Sequence, residues 1–104
     1  MADGFVRVCG VEEIPEGKFK SFEINFTPIV VVHTGDGFFC LADECTHDSE
    51  PIRTGFLKRN ELICSRHGAR FDVRDGSVTR APAIVPLDTY EVKIEGSDIF
   101  VKVD

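Results

Sequence analysis

Nowhere in these 104 residues do apolar side chains recur at the i, i+3, i+4, i+7 spacing of a helix. They come instead in short β-branched and aromatic runs separated by turn residues, and that periodicity confines the chain to an all-β fold. Strands are expected over residues 5–9, 19–24, 29–34, 38–42, 62–64, 70–73, 77–79, 89–95 and 99–103. Gly35-Asp36-Gly37, Asp75-Gly76 and Gly96-Ser97 are expected to close hairpins, because these residues tolerate the positive φ of tight turns. Residues 11–14, just before Pro15, predict one helical turn. Residues 42–62 form the longest stretch of weak strand character, and an irregular loop of that size in a small domain is usually functional. Most of the nine phenylalanines are expected in the core. The fold class that follows is a small antiparallel β-sandwich or barrel, with residues 1–104 as one domain.

Composition removes several functions. Apolar residues at 42% and charged residues at 29% are globular values. A net charge of −6 disfavours nucleic acid and anionic membranes as partners, since both need a basic face. The longest aliphatic run, Ile29-Val30-Val31-Val32, is far short of a membrane span. The first residues show no basic start followed by an apolar stretch, so no secretory leader is expected and a cytoplasmic location is. In that compartment cysteines near histidines are more often metal ligands than disulfide partners.

Two clusters hold almost all the soft donors: Cys45-Thr46-His47 and, after sixteen intervening residues, Cys64-Ser65-Arg66-His67. A structural zinc would take two thiolates and two imidazoles on one ion, usually with two to four residues inside each ligand pair. The single residue between Cys45 and His47 is tight for that chelate and comfortable when the two side chains serve adjacent metals. A Rieske [2Fe–2S] centre, with two cysteines on one iron and two histidines on the other, asks each arm for one thiolate and one imidazole, as found here. Iron–sulfur is therefore favoured over a zinc-stapled binding module. Pro51, Gly55 and Gly68 would let backbone amides turn toward inorganic sulfurs. Cys9 and Cys40 fall in strand patterns and are expected as reduced core thiols rather than a disulfide, and His33 as a hydrogen-bonded structural or surface histidine.

With these motifs, continued by Gly68, by Arg70-Phe71-Asp72-Val73-Arg74-Asp75-Gly76, by Pro82-Ala83 and Leu87 and by Tyr90-Glu91-Val92, the chain resembles the Rieske-type ferredoxins of bacterial aromatic-ring-hydroxylating dioxygenase systems. The resemblance implies a Rieske-type β fold with two cluster-binding loops and one [2Fe–2S] cluster. It places Cys45 and Cys64 on the buried iron, with His47 and His67 on the outer one. It implies a one-electron carrier, not itself an enzyme, between a flavin-dependent NAD(P)H reductase and a terminal Rieske non-haem iron oxygenase. The accessory subunit of another reductase, such as nitrite reductase, shares the fold and is the alternative. Rieske proteins of the cytochrome complexes differ: they carry an extra cysteine in each loop, where this chain has Glu50 and Arg66. They also donate serine and tyrosine hydroxyls to the cluster, where this chain has Ala69 and Phe71.

Fewer hydrogen bonds to the sulfurs predict a potential at the low end of the Rieske range, about −150 mV. A mononuclear iron site needs two histidines and a carboxylate, and once the cluster takes its pair only His33 remains. No Gly-rich dinucleotide fingerprint is present. Asp43, Glu44, Asp48 and Glu50 surround the first arm and Arg66 and Arg70 flank the second, so the acidic arm is expected to steer a basic patch on a partner.

Overall fold

The computed structural model describes residues 4–44, 51–65, 68–81 and 85–103. In chain order its strands are β1 (Val6–Gly10), β2 (Phe19–Ile24), β3 (Thr27–Thr34), β4 (Gly37–Ala42), β5 (Phe56–Lys58), β6 (Glu61–Ile63), β7 (Arg70–Asp72), β8 (Val78–Arg80), β9 (Thr89–Glu95) and β10 (Asp98–Lys102). Short 3-10 turns cover Val11–Glu13 and Ile52–Thr54.

The run Ile29-Val30-Val31-Val32 is buried along its whole length, which strict alternation permits only when both faces of a strand are covered. That is the situation of β3. Val30 and Val32 join Leu41, Ile52, Leu62, Phe71 and Leu87 in one core, whereas Ile29 and Val31 join Cys9, Cys40, Ile99 and Val101 in another. β3 and β4 therefore act as a wall between two apolar interiors. Both strands belong to an antiparallel six-stranded sheet in the order β1-β10-β9-β4-β3-β2, whose interior is one of the two. Its two edges approach each other closely enough for Val6, Arg7 and Val8 of β1 to share a cavity with Phe22, Glu23 and Ile24 of β2, so the sheet is nearly a barrel. On the other side sits the antiparallel sheet β5-β6-β7-β8, which the chain builds between β4 and β9.

All nine expected strands are present, with ends shifted by no more than two residues. β5 was not expected. It lies inside the stretch read as irregular, and three residues are too few to show a period. Two hairpin tips also differ from expectation. Asn25 and Phe26 connect β2 to β3 with φ of 51° and 66°, and Arg59, at φ 55°, helps connect β5 to β6. Tight twisted hairpins need such left-handed residues, and Phe26 and Arg59 are not residues that announce one. The phenylalanines are not uniformly core either: Phe71 is buried, but Phe26 is 92% and Phe56 61% exposed. Cys9 and Cys40 are buried and unpaired, as expected. Burial pushes the Cys40 thiol up to about 12, which keeps it protonated and inert.

The β7–β8 hairpin is pinned by a carboxylate. Asp72 accepts hydrogen bonds from the backbone N–H of Arg74 at 2.9 Å and from its guanidinium Nε and Nη2 at 3.0 and 2.8 Å. The guanidinium, chiefly, holds the Asp72 carboxyl below its ordinary value of 3.8. A depressed folded-state value contributes stability that is present above the unfolded value and lost as pH falls through the folded one. In thermal melts from about pH 6 down to about pH 3, Asp72→Asn is therefore expected to lose Tm less steeply than the unaltered chain. Parallel declines would exclude Asp72 as a source of the acid sensitivity.

Candidate metal centre

β6 and β7 are joined by the segment that carries the second donor pair. Cys64 stands one residue beyond β6, not inside a strand as expected, and is 4% exposed. Its N–H donates to the Ala69 carbonyl at 2.8 Å, and its own carbonyl accepts from the Gly68 N–H at 3.1 Å. Gly68 takes φ +75°, the left-handed conformation that returns the chain toward β7 and that a side chain would strain. Cys64 is a free thiol packed in the same core as Leu62, Ala69 and Phe71. A buried thiol at the base of a tightly closed loop is positioned rigidly, as a cluster ligand must be.

The first arm leaves β4 at Asp43. This residue is not a steering charge. It is 5% exposed, its carboxylate accepts the Arg53 backbone N–H at 2.8 Å, and the Arg53 guanidinium pairs with its other oxygen. The Asp43 N–H in turn donates to the Pro28 carbonyl at 3.0 Å. Asp43 thus ties the two ends of the first arm together and to β3. Of the other acidic residues expected to steer a partner, Glu44 is exposed, while Asp48 and Glu50 lie outside the described residues, as does Arg66. Arg70 is paired with Glu61 at 3.3 Å.

The two arms meet. The Thr54 hydroxyl, at the end of the first, lies 3.3 Å from the Ser65 hydroxyl beside Cys64. Gly55 makes that approach possible, since a Cβ there would run into the Ile63 carbonyl oxygen. Cys45, His47 and His67 lie outside the described residues. What the structure shows is that the segments flanking both donor pairs converge on one end of the small sheet, with a reduced, buried thiol between them. This donor chemistry fits a cluster clamped between two loops.

His33 has a different occupation. Its Nδ1 lies 2.7 Å from the Ile14 carbonyl oxygen and its ring stacks on Phe38 at a centroid distance of 4.0 Å, so it holds the 3-10 turn against the sheet. No helix of the described residues is long and apolar enough to cross a membrane. Sequence reasoning did not single out Arg53 or Thr54, because neither is a ligand type and their partners are distant in sequence.

Known proteins agree with this geometry. The chain is 35% identical over 98 residues to the ferredoxin component of biphenyl 2,3-dioxygenase of Rhodococcus jostii (strain RHA1), covering 94% of this chain and 92% of that one. Its fold superposes on the ferredoxin of carbazole 1,9a-dioxygenase from Nocardioides aromaticivorans IC177 with a TM-score of 0.91 at 28% identity, over 96% and 98% of the two chains. It also matches a chain in a solved complex of reduced oxygenase and oxidised ferredoxin of carbazole 1,9a-dioxygenase, with a TM-score of 0.89 at 27% identity over 95% and 93%. The family model described as Rieske [2Fe–2S] domain matches residues 4–91, and the chain therefore belongs to that family and carries its single [2Fe–2S] cluster.

Proposed function

We propose that this chain is the ferredoxin component of a multicomponent aromatic-ring-hydroxylating dioxygenase, passing electrons one at a time from a flavin-dependent NAD(P)H reductase to a terminal Rieske oxygenase. The observation that carries this reading is a match to dioxygenase ferredoxins along nearly the whole of both chains, joined to a complete donor set. Cys45, His47, Cys64 and His67 hold the cluster, with the two cysteines on one iron and the two histidines on the other. When bound, the cluster supplies reversible one-electron storage. The polypeptide supplies rigidity: the Cys64–Ala69 and Asp43–Arg53 hydrogen bonds keep both arms in one geometry whichever redox state is present. Family membership leaves the zinc-stapled module without support. The chain is an electron-transfer component and not the oxygenase, and residues 1–104 act as one domain. A cytoplasmic location suits the unpaired Cys9 and Cys40.

Reconstitution tests the role. NAD(P)H-driven hydroxylation by a reductase and a terminal oxygenase is expected to require this chain, and turnover that proceeds equally well without it would remove the carrier function. The electronic environment is tested separately. Ala69 and Phe71 are fully buried beside Cys64 and carry no hydroxyl, so the midpoint potential is expected at about −150 mV. A midpoint above about +100 mV would contradict the hydrogen-bond argument.

A further inference from the structure

The small sheet has two very different faces. Leu57, Leu62, Phe71 and Val78 stand opposite one another in register and pack against the core. Alternation places Phe56, Lys58, Glu61, Ile63, Arg70 and Asp72 on the other face. That outer face combines three features. Phe56, on an edge strand, leaves 61% of its surface in water. A cavity of about 440 Å³ is lined by four cations, Lys58, Arg59, Arg70 and Arg74, against only two carboxylates, Glu61 and Asp72, on a chain whose net charge is −6. Arg74 is committed to Asp72 and Asp36 and Arg70 Nη1 to Glu61, but Lys58 and Arg59 are exposed, and Arg70 Nε and Asn60 Oδ1 are buried without a hydrogen-bond partner among the described residues. Buried polar atoms are seldom left so, and an exposed aromatic among cations is the composition of an interface anchor rather than of a solvated surface.

Position gives the face its meaning. β6 runs from it straight into Cys64, and β7 begins one residue after Ala69. Resting on the carrier reading above, we propose that the outer face of β5–β8 docks a redox partner whose surface presents carboxylates around an apolar hollow. Phe56 fills the hollow while Lys58 and Arg59 meet the carboxylates. Asp43, buried and paired, takes no part, and the basic face of the second arm carries the encounter proposed here.

The test uses the cluster-loaded chain with the reductase and oxygenase components of the Rhodococcus jostii biphenyl 2,3-dioxygenase. The reduction and reoxidation half-reactions are followed separately, and KM for the ferredoxin is measured in steady-state turnover. The exposed double variant K58E/R59E is expected to raise KM about tenfold with kcat within about twofold, and to weaken its salt dependence. Phe56→Ala should raise KM several-fold without altering that salt dependence. A loss confined to one half-reaction supports the face and tells which partner uses it. Changes under twofold in both half-reactions, or a fall in kcat at constant KM, overturn the proposal while leaving the carrier reading intact. An unaltered chain that transfers no electrons overturns both.

Discussion

His67→Ala is expected to abolish the [2Fe–2S] centre, leaving a chain with little iron, no visible charge-transfer absorption and no electron paramagnetic resonance signal on reduction. Loss of one of four donors opens an iron to water, and a cluster shared between two arms then has only one arm on its outer metal. His33→Ala is the matched control. His33 loses its hydrogen bond to the Ile14 carbonyl and its stacking on Phe38, at a cost of about 1–3 kcal/mol, yet the iron content and spectrum should be unchanged. Iron analysis and reduced-state spectra on both variants decide the matter. A fully loaded His67→Ala protein would remove His67 from the ligand set, and a colourless His33→Ala protein with an intact fold would place His33 in it.

Gly55→Ala should produce the second large effect, on stability. The added methyl meets a backbone carbonyl, that of Ile63, which cannot swing away as a long side chain would. Either the first arm lifts from β6 or the entry to Cys64 shifts. Overpacking of this kind costs about 2–3 kcal/mol, which in a domain of this size is a fall in Tm of roughly 10–20 °C. Faster loss of the cluster should accompany it, because the Thr54–Ser65 contact between the arms depends on the same approach. Gly35→Ala in the β3–β4 turn is the comparison: a Cβ there meets nothing nearer than a Glu16 carboxylate oxygen at 3.7 Å. Equal Tm values for Gly55→Ala and the unaltered chain would show that the close approach is not required.

The separation between pinning and docking charges changes how this surface is read. The Asp43 charge looked like part of a steering field when only its order along the chain was known. The Asp43 carboxylate is instead enclosed and spent on Arg53, and the Asp72 carboxylate holds Arg74. An ion pair that closes a loop and a charge that meets a partner are the same residue types, and burial is what distinguishes them.

Local chemistry made the β periodicity, the Gly-Asp and Gly-Ser hairpins and the spaced Cys/His pairs readable from one end of the chain to the other, because each depends on neighbours within a few residues. The proposed donor set is of this kind: a C-x-H and a C-x-x-H pair carry their own meaning. The two-core arrangement around β3 was not readable, since the run Ile29–Val32 looks alike whether one face or two are covered. Nor were β5, the Asn25-Phe26 and Arg59-Asn60 tips, the enclosure of Asp43, or the convergence of Thr54 on Ser65. These are settled by contacts between segments far apart along the chain. Whether Phe56 is core or surface, and whether Asp43 is a field or a clasp, depends on which sheet comes to lie against which, and that is a property of the packed chain alone.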